Sequence, residues 1–365
     1  MRTVPVEKAV GMILVHDITE IRKDDFKGRA FRKGHVVTAE DVDHLQRLGK
    51  NQLFVLDIED DEVHEDDAAY ALAEALMGEG VVINDAPKEG KINIVASRDG
   101  LLKINKTALS AFNRCDDVIC ATLHDNTVVA GGRIVAGTRI IPLVTKREIL
   151  NAAVAVAKQA APVIRVKEMR RPKTGVVITG SEVYYGKIKD GFAPVITKKI
   201  ASMNGEIIGI CYAPDDVQFI VDRVRELLNA GADLVIVSGG MSVDPDDVTR
   251  FAVRNLGVVD YTYGAAVLPG SMFQIAYVKT EAGARQTGSD PENASPDFCS
   301  PESGVVPVIG IPACAMYHHT TVLDLVLPRI LAGEHIGRPE LAELGHGGLC
   351  LDCKQCSYPV CPFGK

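Results

Sequence analysis

The feature that most constrains this chain is the alternation that begins at Lys173. "TGVVITG", "EIIGICYA" and "ADLVIVSGG" are apolar runs without a polar residue at every second position. Such runs suit strands covered on both faces. Between them lie "APVITKKIASMNG", closed by Gly205, and "PDDVQFIVDRVRELLNAG". In the second, Val217, Ile220, Val221, Val224, Leu227 and Leu228 share one helical face. Pro214 and Asp215 start it and Gly231 ends it. Strands alternating with helices of this length imply parallel β-α-β units with right-handed crossovers. Ligands of such sheets bind at the carboxyl ends of the strands. The "TGSE" and "SGG" turns therefore open on one edge, and two loops are predicted to share one crevice.

Much of the chain lies outside that pattern. Its 365 residues are enough for more than one core. The net charge of -8 excludes a general nucleic-acid binder, which needs a basic face. No apolar run approaches the roughly 20 residues that span a bilayer, and "MRTVPVEKAV" lacks a signal core. A cytoplasmic protein with no membrane and no nucleic-acid partner is expected. The fold class expected is α/β, with a three-layer domain on a mostly parallel sheet, preceded by smaller α/β and β-rich modules. Residues 1–85 read as a mixed α/β module, and 86–171 as a β-rich module with a connecting helix. Residues 172–338 read as the three-layer domain and 339–365 as a cysteine-rich tail. Within the first module, the acidic run Glu59–Asp67 reads as the solvated start of a helix. Thr280–Gly304 reads as a surface insertion, and "ACAMYHHTTVLDLVLPRILAG" as the closing helix.

The loop after the third apolar run poses a chemical problem. The glycines of Ser238-Gly239-Gly240 let backbone N–H groups approach an anion. Yet Asp244, Asp246 and Asp247 follow at once. Asp244 and Asp246 flank Pro245 ahead of a helix-like "DDVTRFAVRNLG", where an aspartate cap is routine. Pro269 and Gly270 mark a tight turn that can also line the crevice.

Four stretches together resemble the molybdopterin-binding family that includes molybdopterin molybdotransferases and a domain of gephyrin. They are "ITGSEV" (178–183), "VIVSGGMSVDPDDV" (235–248), "VLPGS" (267–271) and "GIPACA" (310–315). The resemblance covers about residues 173–337. It departs at Ser181, where the family often has Asp, at Ser271, where Lys is usual, and at Ala313-Cys314-Ala315, where Gly-Asn-Pro is usual.

The resemblance implies molybdopterin, or its adenylated form, as ligand or substrate. Thr179, Gly180, Ser181, Ser238, Gly239, Gly240 and Ser242 are then the phosphate-binding candidates. Pro269, Gly270 and Pro312 line the same site. Glu182 and Asp247 match the family's acidic pair, expected to act in catalysis. Molybdate is anionic like a carboxylate, so Asp247 implies Mg²⁺, a proton shuttle or a structural cap. Insertion of molybdate into the pterin is the activity expected. A cofactor carrier serving a client molybdoenzyme is the first alternative, and a nucleotide pyrophosphatase of the competence-damage type is the second. Homo-oligomerisation through the amino-terminal half is a further implication of the resemblance.

Two cysteine features stand apart. Cys314 at the start of the closing helix reads as a packed small hydrophobe or as a thiol activated by the helix dipole. His318 and His319, adjacent on that helix, point apart and cannot both face one ligand. The tail "CLDCKQCSYPVCPFGK" spaces Cys350, Cys353, Cys356 and Cys361 as C-x2-C-x2-C-x4-C. This is close to ferredoxin-type spacing and compatible with zinc, with disulfides or disorder as the remaining options.

Overall fold

The computed structural model describes residues 2–22, 26–56, 58–160, 162–241, 244, 247–280 and 304–365. The insertion read over Thr280–Gly304 falls outside them at 281–303, as do Ser242, Pro245, Asp246 and Cys299. The chain divides into two units, one of residues 1–125 and 129–167, the other of 126–128 and 168–365.

The first unit holds two cores. One gathers Val4, Leu14, Leu45 and Val55, where the helix Ala39–Arg47 covers a small sheet of Arg2–Pro5, Gln52–Leu56 and Ile13–Leu14. The other runs from Val63 to Val166. Here the helix Glu65–Leu76 covers an antiparallel sheet containing Ile92–Ala96 and Ile134–Ile140, and the helix Arg147–Gln159 packs against that helix. The expected boundary at residue 85 falls inside this second core. Glu65 corrects the reading of a solvated acidic start. It is only 3% exposed, and its carboxylate lies 3.2 Å from Arg139 Nη2. Burial pushes this carboxyl up, against the pull of the Arg139 guanidinium. The charge pattern showed the helix start but not the strand that covers it.

The second unit is built on one six-stranded sheet. Its strands are β1 (Lys173–Thr179), β2 (Glu206–Ala213), β3 (Leu234–Ser238), β4 (Val258–Tyr263), β5 (Gln274–Lys279) and β6 (Val305–Ile311). Their order is β2-β1-β3-β6-β5-β4. The first four in that order are parallel, and β5 alone is reversed, pairing antiparallel with β6 on one side and β4 on the other. The longer helices are α1 (Phe192–Ser202), α2 (Val217–Asn229), α3 (Thr249–Arg254), α4 (Val322–Leu331) and α5 (Arg338–Glu343), and a single α-helical turn, Ser181–Tyr184, follows β1.

Residue parity explains the unbroken apolar runs. Val176, Ile178, Leu234 and Ile236 face one core with Phe192, Ile196 and Ile200 of α1 and Val326 of α4. Val177, Val235 and Val237 face the other, with Ile220 and Val224 of α2 and Val253 of α3. Both faces of the sheet are covered, so alternation is lost. The fold is a three-layer α/β domain on a mostly parallel sheet.

Several boundaries differ from the sequence reading. α2 begins at Val217 with Asp216 as its cap, whose side chain accepts from Phe219 N at 2.8 Å. The closing helix starts only at Val322, where Thr321 and Asp324 form a capping box. Ala313–Met316 is instead a separate 3-10 turn. No helix among the described residues is long and apolar enough to cross a membrane.

Candidate functional site

Parallel pairing sets Ile178 of β1 against Ser238 of β3, so both strands end at one edge. The Thr179 hydroxyl donates to the Ser238 carbonyl oxygen at 2.6 Å and lies 3.0 Å from the Thr249 hydroxyl. Gly239 and Gly240 take φ of +84° and +56°. A Cβ on Gly239 would stand 2.8 Å from the Thr179 carbonyl oxygen, and one on Gly240 2.5 Å from Thr249 Oγ1. The glycine pair is thus required by how closely the two turns meet, before any ligand is considered.

A third strand end joins them. Ser181 N donates to the Asp215 carboxylate at 2.8 Å, and Asp215 N donates to Ser181 Oγ at 3.2 Å. Two clefts open at this edge. One, of about 720 Å³, is lined by Thr179, Gly180, Glu182, Lys189 and Asp215, with Gly240, Asp244 and Asp247 along its border. The other, of about 490 Å³, has the same Gly240, Asp244 and Asp247 on one side. Gly239, Pro269, Gly270 and Pro312 complete it, together with Cys314. The loop after β3 is a shared wall between two hollows.

The structure therefore brings Glu182 and Asp247 to one cleft, and Asp247, Pro269, Gly270 and Pro312 to the other. Ser181 lines neither, its hydroxyl being engaged by Asp215 N. Ser238 is fully buried, and its Oγ has no hydrogen-bond partner among the described residues. Ser238 lines neither cleft. Thr179 lines the first cleft, but its hydroxyl is spent on Ser238 and Thr249. Ser242 lies outside the described residues.

Asp244 does not cap α3. The cap position is Val248, with no side-chain bond, and Asp244 meets Asp247 N through its carbonyl oxygen at 3.0 Å. Its carboxylate is left to the clefts. Asp215 and Lys189 are site residues that the sequence reading missed. The "PDD" doublet held the signal for the first: one aspartate suffices as the α2 cap, which leaves the other for the site. Lys189 lies in the "YYGKIKDG" stretch, which carried no motif.

Four carboxylates, Glu182, Asp215, Asp244 and Asp247, line the larger cleft. Crowded acids repel any anionic ligand unless a cation stands between them. Among the described residues no group of three or more His, Cys, Asp or Glu is gathered closely enough to hold an ion directly. Cys314 sits in the 3-10 turn, half-buried, and burial pushes its thiol up. The expectation of activation by a helix start fails because no long helix begins there.

The four tail cysteines form a separate feature in the same unit. Cys350, Cys353, Cys356 and Cys361 are all unpaired thiols and border one small cavity of about 50 Å³. His318 and His319 line it as well. Residues 317–320 are not helical, so the two histidines do not point apart as they would on a helix.

Residues 175–332 match the family model described as a probable molybdopterin binding domain, and residues 3–57 match a domain of unknown function (DUF8806). A CinA-like protein of Mycobacterium avium (strain 104) is 24% identical over 224 residues, covering 53% of this chain and 51% of the relative. A CinA-like protein of Thermosipho melanesiensis is 33% identical over 81 residues, covering 22% and 20%. The chain thus spans about half the length of the first of these relatives, and less of the second. Among solved structures, a putative molybdenum cofactor biosynthesis protein from Corynebacterium diphtheriae has a TM-score of 0.33 at 13% identity, covering 45% of this chain and 98% of that one. A molybdopterin biosynthesis moea protein from Pyrococcus horikosii has a TM-score of 0.31 at 16% identity, covering 91% and 74%.

Proposed function

We propose that the segment 175–332, which matches the family model of a probable molybdopterin binding domain, binds molybdopterin or adenylated molybdopterin and inserts molybdate into it. The observation that carries the reading is the shared wall: Gly240, Asp244 and Asp247 border both clefts. A phosphorylated pterin and a second anionic reactant need two adjoining hollows with a common reactive edge. Gly180 and Gly240 present backbone to the anion, Lys189 supplies positive charge on the larger cleft, and Pro269, Gly270 and Pro312 shape the smaller one. In this reading Glu182 and Asp247 carry the catalysis.

The oxygen-only donor set of Glu182, Asp215, Asp244 and Asp247 fits a hard cation. Mg²⁺ held by these carboxylates would offset their negative charge and let an anionic ligand approach. Glu182 and Asp247 then hold or move the protons of the water that departs as molybdate joins the dithiolene. Iron–sulfur or zinc in the tail, docking to a client molybdoenzyme, and self-assembly through residues 1–171 belong to the same proposal.

The acid-lined cleft also favours a second reading, Mg²⁺-assisted hydrolysis of a nucleotide pyrophosphate. Incubating the full chain with Mg²⁺ and adenylated molybdopterin, with and without molybdate, separates the two. Formation of the molybdenum-loaded pterin supports insertion. Tight binding without product leaves a carrier, whereas hydrolysis of ADP-ribose with no pterin binding overturns the proposal in favour of the second reading.

A further inference from the structure

We propose that the four tail thiols bind one thiophilic metal centre, and that this centre clamps both lips of the smaller cleft, so that metal loading of the tail governs the pterin site. The inference rests on reading that cleft as part of the pterin site.

The tail is stitched to one lip by its backbone. Leu268 N donates to the Gly348 carbonyl oxygen at 2.8 Å, and Cys350 N donates to the Leu268 carbonyl oxygen at 2.8 Å. Leu268 and Leu349 thereby form a parallel bridge. The next residues after Leu268 are Pro269 and Gly270, which line the cleft. Cys350 is thus both the first thiol of the set and a direct tie to the lip.

The other lip is the turn Ala313–Met316, which runs on into His318, His319 and Thr320. The Thr320 hydroxyl lies 3.4 Å from Cys356 Sγ, and His318 Nδ1 lies 3.5 Å from the Asp352 carboxylate. The far end of the tail is fixed as well. Phe363 is 2% exposed in the domain core, and the Tyr358 hydroxyl donates to the Asp324 carbonyl oxygen at 3.2 Å. Between these anchors the thiols surround a hollow of about 50 Å³, on the scale of one or two water molecules.

No three donors already stand at ion-binding separation among the described residues. Cys353 and Cys356 are the two exposed thiols, and residues 351–356 carry neither helix nor strand. Swinging these two inward therefore breaks no ladder of backbone bonds, while Cys350 and Cys361 stay near their anchors. Each thiol passes its proton to solvent as it ligates. Soft sulfur selects zinc or iron, whereas the oxygen donors of the clefts suit Mg²⁺, so the two sites do not compete for one metal.

The test uses the full-length chain, stripped by chelator under anaerobic conditions. Zn²⁺ alone, or Fe²⁺ alone, is added, and retained metal and amide hydrogen exchange are measured without pterin. The expected result is one retained centre, with exchange at Leu268 and Cys350 slowed about tenfold. Cys353→Ser/Cys356→Ser, which changes only exposed side chains, should abolish both effects. Loss of the metal on desalting, equal retention by the double variant, or loading that leaves the two amides unchanged would each overturn the clamp. Molybdopterin is then titrated into loaded and stripped protein. Equal binding in both removes the link to the site, while binding in neither removes the proposed function and leaves the clamp.

Discussion

The hydroxyl of Thr179 donates to the carbonyl oxygen of Ser238 at 2.6 Å, tying the ends of two neighbouring parallel strands. Replacing Thr179 with Val keeps the shape but leaves that buried oxygen without its donor and the Thr249 hydroxyl without its neighbour. The expected loss is about 1–3 kcal/mol of stability, read from urea unfolding. Pterin binding should weaken with it, because the tie sets the spacing of the two turns. An unchanged midpoint would show that the bond adds nothing.

Gly239→Ala tests the close approach from the other side. The new Cβ meets the Thr179 carbonyl oxygen at 2.8 Å on a backbone of φ +84°. Strain of about 1–3 kcal/mol is expected, measurable in the same unfolding experiment. Tolerance without cost would mean that the turns separate freely.

Glu182→Gln and Asp247→Asn separate binding from chemistry. Neither changes the glycine turns, so molybdopterin affinity should stay within a few fold. Molybdate insertion should fall about 10²-fold or more. The readout is loaded pterin formed per minute beside a binding titration. Affinity and rate falling together would show that these carboxylates position the ligand and carry no proton.

What the sequence showed and hid follows from the range of each signal. Parity in a doubly covered strand is local, so Val235, Ile236 and Val237 announced β3 by themselves. The meeting of "TGSE" with "SGG" followed from parallel topology, which the helix–strand alternation dictates. The surroundings of each side chain were not legible: nothing in the letters says that Ser238 is fully buried while Asp215 lines the larger cleft. Ala313–Met316 reads as helix because its residue types are good helix formers. The Thr321 and Asp324 capping box, eight and eleven residues beyond Ala313 in the numbering, starts the real one. The fate of Glu65 depended on Arg139, a strand distant in sequence, and no helix pattern records that.

Glu65 gives the chain a pH dependence of definite sign. Burial raises its folded pKa above the unfolded value, so the native state holds this proton more tightly. Stability from this group is complete below the ordinary glutamate range and is lost as pH rises through the raised folded value. Glu65→Gln removes that slope. Unfolding free energies from about pH 4 to 7 should therefore show the wild type losing ground to the variant as pH rises. The opposite trend would mean that the Arg139 pair outweighs burial.

Thiol reactivity should follow burial. The Cys120 thiol is pushed up to about 12 by burial, and Cys314 is pushed up by the same cause. A thiol at about 12 is only about 10⁻⁴ ionised near pH 8, and Cys120 is 4% exposed. In chelator-stripped protein, iodoacetamide should therefore label exposed Cys353 and Cys356 first, then Cys314. Cys120 should react only after unfolding. Mass spectrometry of timed samples gives the order. Early labelling of Cys314, ahead of the tail, would restore an activated thiol on the lip of the smaller cleft.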